Sequence, residues 1–201
     1  MFIQVIQGHV TDAGEMRESL DRWVDDLAPG ADGWLGSTAG VTDDGMFLCV
    51  VRFESREAAR RNSDRPEQGQ WWVETAKLFG GEVIFHDCAQ VYEYLRGGSD
   101  EAGFVQVMQG RVRDPERLPD VLARGQDRLA ELRPELIGGT AALHGDGGYT
   151  ETAYFTSERE AREGESKVTP ELQEVFQAWL DLFEGDLTYF DLREPWLYSP
   201  R

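Results

Sequence analysis

His86 is the side chain whose ordinary pKa suits proton transfer near neutral pH. It stands in the apolar run Val83-Ile84-Phe85-His86. Two readings follow: a pocket-facing acid–base group, or a histidine satisfied inside the fold. His9 and His144 lie far from it in sequence, and the three lack metal-ligand spacing, so no metal site is expected. Cys49 and Cys88 also lack zinc spacing; Cys49 sits in a strand-like run and reads as a small buried hydrophobe. Gln4, Gln7, Gln106 and Gln109 are polar side chains within apolar strands. A buried glutamine needs hydrogen-bond partners, so these four either line a pocket or tie the fold together. Their retention as equivalent pairs favours the structural role. Arg52 and Tyr154 hold equivalent strand positions and are further candidate pocket groups. Gly138-Gly139 lacks the context of a phosphate-binding loop, and there is no nucleophile elbow.

The elements that must position these groups come in duplicate. Phe2-Ile3-Gln4-Val5-Ile6-Gln7-Gly8-His9-Val10-Thr11-Asp12 returns as Phe104-Val105-Gln106-Val107-Met108-Gln109-Gly110-Arg111-Val112-Arg113-Asp114, with seven of eleven residues identical. The offset is 102 residues, which indicates a tandem repeat. Met16, Leu20, Trp23, Val24 and Leu27 form a helical stripe that Pro29-Gly30 ends. Its counterpart carries Leu118, Val121, Leu122, Leu129 and Leu132. Asp43-Asp44-Gly45 and Gly145-Asp146-Gly147 are hairpin signals between two strands. Ser55 and Ser157 cap a short helix. A longer helix follows at 67–79 and 170–183, where the offset has become 104 and Trp72 matches Phe176. A strand and an aromatic-rich extended piece close each repeat.

Each repeat therefore reads β-α-β-β-α-β, the ferredoxin-like order. The expected domains are 1–95 and 104–201, joined by a flexible linker at 96–103. Strands apolar on both faces imply cover on both faces, which a second sheet would supply.

A net charge of −18 repels phosphate backbones and anionic membranes, so nucleic-acid and membrane partners are not expected. No apolar run approaches the ~20 residues of a membrane span. The opening residues do not resemble a signal peptide, and two cysteines make no disulfide framework, so a cytoplasmic protein is expected.

The closing motifs Phe53-Glu54-Ser55-Arg56-Glu57-Ala58-Ala59 and Phe155-Thr156-Ser157-Glu158-Arg159-Glu160-Ala161 follow a Gly-rich second strand and an Asp-Gly hairpin. Together they resemble the antibiotic-biosynthesis-monooxygenase-like branch of the dimeric α+β barrel superfamily. The resemblance implies an α+β fold of two fused ferredoxin-like halves that form an intramolecular, pseudodimeric barrel. The chain would be a monomer or a further homo-oligomer. It implies a small-molecule ligand and points to cofactor-independent monooxygenation of an aromatic or quinol-like substrate. The alternatives are a non-enzymatic binding or stress-response module with a filled pocket and, third, haem binding or degradation. Haem-binding members commonly use a histidine on the second helix, and neither 67–79 nor 170–183 holds one.

Oxygenase-like members place an amide and a tryptophan around a bound aromatic. Asn62 with Trp71 or Trp72 is the nearest match, since an amide can bind an enolate and an indole can stack on a ring. The competing reading is a helix-capping asparagine beside core tryptophans. With Asn62 and Trp72 from the resemblance and His86 from its own chemistry, the catalytic candidates are Asn62, Trp72 and His86; the substrate-binding candidates are Trp71, from the resemblance, and Gln4 and Arg52, from their strand positions. The second repeat has Gly164 for Asn62 and Phe176 for Trp72, so a pocket is expected in the first repeat only.

Overall fold

The computed structural model describes residues 1–145, 147–167 and 169–200. The first repeat runs β1 (Phe2–His9), α1 (Ala13–Asp26), β2 (Trp34–Val41), β3 (Met46–Phe53), α2 (Arg56–Ser63), α3 (Pro66–Thr75), β4 (Ile84–Cys88) and β5 (Gln90–Leu95). The second runs β6 (Phe104–Arg111), α4 (Leu118–Leu132), β7 (Leu136–His144), β8 (Gly148–Phe155), α5 (Glu158–Ser166), α6 (Pro170–Leu180), β9 (Thr188–Leu192) and β10 (Trp196–Tyr198).

Each repeat builds an antiparallel sheet in the ferredoxin-like order, β4-β1-β3-β2 and β9-β6-β8-β7. The registers match at the repeat offset: Phe2 faces Phe53 and Phe104 faces Phe155. Both second strands carry a bulge, at Trp34/Gly36 and Leu136/Gly138. In the first hairpin Gly45 N donates to Thr42 O and takes φ 85°, the conformation that its glycine permits. Asp146 of the second hairpin lies outside the described residues.

The aromatic-rich pieces that close each repeat are strands, and they are exchanged. β5 adds to the edge of β7 and β10 to the edge of β2. The chain accordingly forms two compact units: 1–89 with 194–201, and 90–193. Residues 96–103 fall inside the second unit. There Gly97 N closes a turn on Tyr94 O, with φ 68° at Gly97. The sequence-repeat boundary and the unit boundary thus differ by one strand in each direction. Only Ala89 separates β4 from β5, too little chain for a return along the same sheet.

The helices form where the periodicity places them. Asp12 caps α1 by accepting from Glu15 N at 2.9 Å, and Met16, Ser19 and Trp23 form its buried stripe. Ser55 caps α2 and Ser157 caps α5 through the equivalent bonds to Ala58 N and Glu160 N. Pro66 and Pro170 open α3 and α6, where a missing N–H costs nothing. In each unit these helices pack on one sheet face. The core there includes Phe2, Trp23, Trp34 and Phe53 in the first unit, and Leu118, Tyr149 and Phe183 in the second. Ile3, Val5, Leu48 and Val50, on the other face, are also buried. None of the described helices is long and apolar enough to cross a membrane.

Candidate active site

The space between helices and sheet differs between the units. In the first it amounts to about 70 Å³, lined by residues that include Gln4, Asn62, Trp71 and Trp72. In the equivalent place of the second unit it is about 530 Å³. A pocket was expected in the first repeat, and the larger cavity lies in the second. The cause is side-chain volume. Trp23 is matched by Gly125, Trp34 by Leu136, Trp71 by Val175 and Val51 by Ala153. In the first unit Trp23 packs edge-on to Trp34 at 5.2 Å and tilts against Trp71 at 6.3 Å. Removing three indoles at once leaves a void that Trp179, at the position of Thr75, only partly refills.

The large cavity is walled by Val121, Leu122, Leu129, Val175, Phe155 and Trp179 among others. Phe176, Leu180 and Tyr189 line it and are 38%, 46% and 52% exposed, so its mouth is apolar and open to solvent. Two polar groups of side chains interrupt the walls. At one, Gln106 Nε2 donates to Asp191 Oδ1 at 2.9 Å, and Asp191 also pairs with Arg162. Arg162 further binds Glu165 at 3.0 Å, and Arg133 pairs with Glu135. The cations here are met by carboxylates.

The second is Glu151, in the middle of β8 and only 7% exposed. Tyr94 Oη donates to Glu151 Oε1 at 2.7 Å, and Tyr149 Oη donates to Glu151 Oε2. Trp179 Nε1 reaches Tyr149 Oη at 3.4 Å. Tyr149 is held edge-on against Phe183 at 4.9 Å. Burial pushes the Glu151 carboxyl above its usual range, and the tyrosine hydroxyls only partly offset this. Burial, then the Glu151 charge, raises both phenols well above theirs. Tyr94 belongs to the exchanged strand β5, opposite Gly139. A Cβ at Gly139 would overlap the Tyr94 ring and hydroxyl, so glycine is required for this approach. Glu151 was visible in the sequence as a carboxylate in an otherwise strand-like run, at the position of Cys49. Its partner Tyr94 was not, because that pairing depends on the strand exchange.

The residues singled out from the sequence are divided. Gln4 lines the small cavity, and its Nε2 donates to Asp87 Oδ1 at 2.9 Å, the same clip that Gln106 makes with Asp191. Asn62 is 6% exposed, and its Oδ1 accepts from Arg65 Nη1 at 2.9 Å. Trp71 Nε1 donates to Ser19 O at 3.1 Å. Trp72 packs edge-on to Phe85 at 5.3 Å. These four surround one small space. His86 and Arg52 stand apart from it. They pair with Val5 and Ile3 on the sheet face away from the helices, because side chains alternate along a strand. His86 is half-buried, and burial lowers its pKa. Arg52 Nε has no hydrogen-bond partner among the described residues. Among the described residues no group of three or more His, Cys, Asp or Glu is placed to hold a metal ion.

No protein-family model matches the chain, and no curated protein matches it. Solved structures do. A candidate monooxygenase from Fusobacterium nucleatum is similar over 98% of this chain and 94% of its own, with TM-score 0.77 and 10% identity. An anthrone oxidase-like protein is similar over 100% of this chain and 92% of its own, with TM-score 0.66 and 13% identity. A ferredoxin-fold protein from Listeria monocytogenes, described as related to antibiotic biosynthesis monooxygenases, covers 100% and 95%, with TM-score 0.50 and 13% identity. At such identities the likeness is one of fold. The chain is a two-half, pseudodimeric α+β protein with the ferredoxin-like fold of the antibiotic-biosynthesis-monooxygenase-like proteins.

Proposed function

We propose that this protein binds a neutral aromatic small molecule in the cavity of the second unit and oxidises it with dioxygen, without a cofactor. The observation that carries this reading is the cavity itself. About 530 Å³ is within the range of small-molecule sites, and its walls are mostly aliphatic and aromatic. Trp179 and Phe176 offer faces for an aromatic ring. The structural likeness to an anthrone oxidase-like protein supports the reaction class. In such a reaction a ring CH₂ loses a proton and the carbanion forms a C–O bond to dioxygen. The peroxide takes a proton, and loss of water leaves C=O. The substrate carbon is oxidised and dioxygen is reduced to one carbonyl oxygen and one water. The protein's part is to orient the ring, accept the proton and keep water from the carbanion.

Incubation with 1,8-dihydroxyanthrone under air tests this. The expected result is uptake of one dioxygen per anthraquinone formed, faster than in buffer. Binding without acceleration would instead support the competing reading, a non-enzymatic binding module. Asn62, Trp71 and Trp72 would then remain as the smaller site of the first unit, where about 70 Å³ has no room for a fused-ring ligand.

A further inference from the structure

The geometry points to Glu151 as the group that accepts the proton from a hydroxyl-bearing ligand in the second-unit cavity. This rests on the reading that this cavity is the binding site. Four observations converge on the carboxylate. First, Glu151 is a cavity-lining carboxylate whose oxygens are each held by one phenol, Tyr94 or Tyr149. A carboxylate has about four acceptor positions, so two remain for a ligand. Second, the other charges in the walls are engaged with one another. Asp191 is taken by Gln106 and Arg162, Glu165 by Arg162, and Arg133 by Glu135. Third, Glu165 and Asp191 are matched by Arg162, whereas Glu151 is held by phenols and by no cation among the described residues, which favours a ligand that brings its own proton. Fourth, the equivalent positions of the first unit are Cys49 and Phe47, which offer no carboxylate and no phenol.

The proton step is simple in balance. The ligand O–H bond breaks, its electron pair stays on the ligand oxygen, and the proton forms a new O–H bond on Glu151. Burial favours the product, since it leaves a neutral carboxyl in the wall and spreads the negative charge over an aromatic ring. Tyr94 reaches the carboxylate only because β5 joins the second sheet, so the acceptor is assembled from both sequence repeats.

Equilibrium binding of 2-naphthol and of 2-methoxynaphthalene at pH 7 tests this. The two probes share a ring system, and only the naphthol has a proton to give. The expected result is about tenfold or tighter binding of the naphthol by the wild type, the discrimination that a charge-assisted hydrogen bond supports. Glu151→Leu should erase that preference while still binding the ether. Equal binding of the two probes by the wild type would overturn the inference without need of any variant. Preference that survives Glu151→Leu would do the same. If neither probe binds, the cavity reading itself fails, and this inference with it.

Discussion

Tyr94 Oη lies 2.7 Å from Glu151 Oε1, although 57 residues and a repeat boundary separate them. The equivalent tyrosine of the other exchanged strand, Tyr198, is half-buried, and its hydroxyl instead donates to Asp21 through an exposed bond. The two hydroxyls therefore differ in worth. Tyr94→Phe leaves a buried carboxylate one donor short, which should cost about 1–3 kcal/mol in urea unfolding. Tyr198→Phe should stay within about 0.5 kcal/mol, as surface substitutions do. Equal losses would show that the Tyr94 bond is not a buried one.

Trp23 and Gly125 explain the unequal cavities. Trp23 is buried and its Nε1 donates to Gln68 Oε1 at 2.6 Å. Trp23→Ala should destabilise the protein by about 3–5 kcal/mol, the range for deleting a large buried aromatic. A cost under about 1 kcal/mol would mean that the first unit is not filled as described. Gly125→Ala should be nearly silent, since its Cβ would meet Val175 Cγ1 at 3.0 Å, the tip of a side chain that can give a little.

The acidity of Glu151 carries a pH signature. Its pKa is raised by burial in the folded protein above the ordinary carboxylate range. Below the unfolded value both states hold the proton, and the group contributes its full stability. As pH rises through the folded value that contribution is lost. The stability of the wild type relative to Glu151→Gln should therefore fall as pH rises out of the ordinary carboxylate range, when followed by thermal melting at each pH. Tyr94, Tyr149 and Trp179 act on the same carboxylate, and Arg133, Arg162, Glu165 and Asp191 share its cavity. All are present in both proteins, so they largely cancel in the difference. A difference independent of pH would contradict the raised pKa.

Both thiols are buried, and burial pushes each up to about 12. A thiol must ionise and be reached to react. Neither Cys49 nor Cys88 should react with Ellman's reagent at pH 8 in the folded protein, and both should react in denaturant. Rapid reaction of one in the native state would show that its strand opens.

The fold was largely legible because it is written twice. The repeat at 2–12 and 104–114, the alternation of the strands and the serine caps are local patterns, and local patterns survive in a sequence. The exchange of β5 and β10 was not legible, since the propensity of an aromatic strand does not say which sheet it joins, and the strand boundaries that rule out a return along the same sheet come from the structure. The site suffered the same limit. Asn62 and Trp72 do meet around one space, but its size depends on Trp23, Trp34 and Trp71 together, and volume is a property of packing. Glu151 was visible as an oddity in a strand; only the tertiary structure supplies its two phenols.

The claim that the second-unit cavity is the binding site is tested most directly by calorimetric titration of 2-naphthol into three proteins: wild type, Gly125→Trp and Asn62→Ala. Gly125→Trp restores the indole that fills the first unit, and Asn62→Ala changes a side chain that lines the small space of that unit and leaves the second-unit cavity untouched. One site is predicted in the wild type, retained in Asn62→Ala and lost in Gly125→Trp. Binding that persists in Gly125→Trp but disappears in Asn62→Ala would place the site in the first unit and contradict the account.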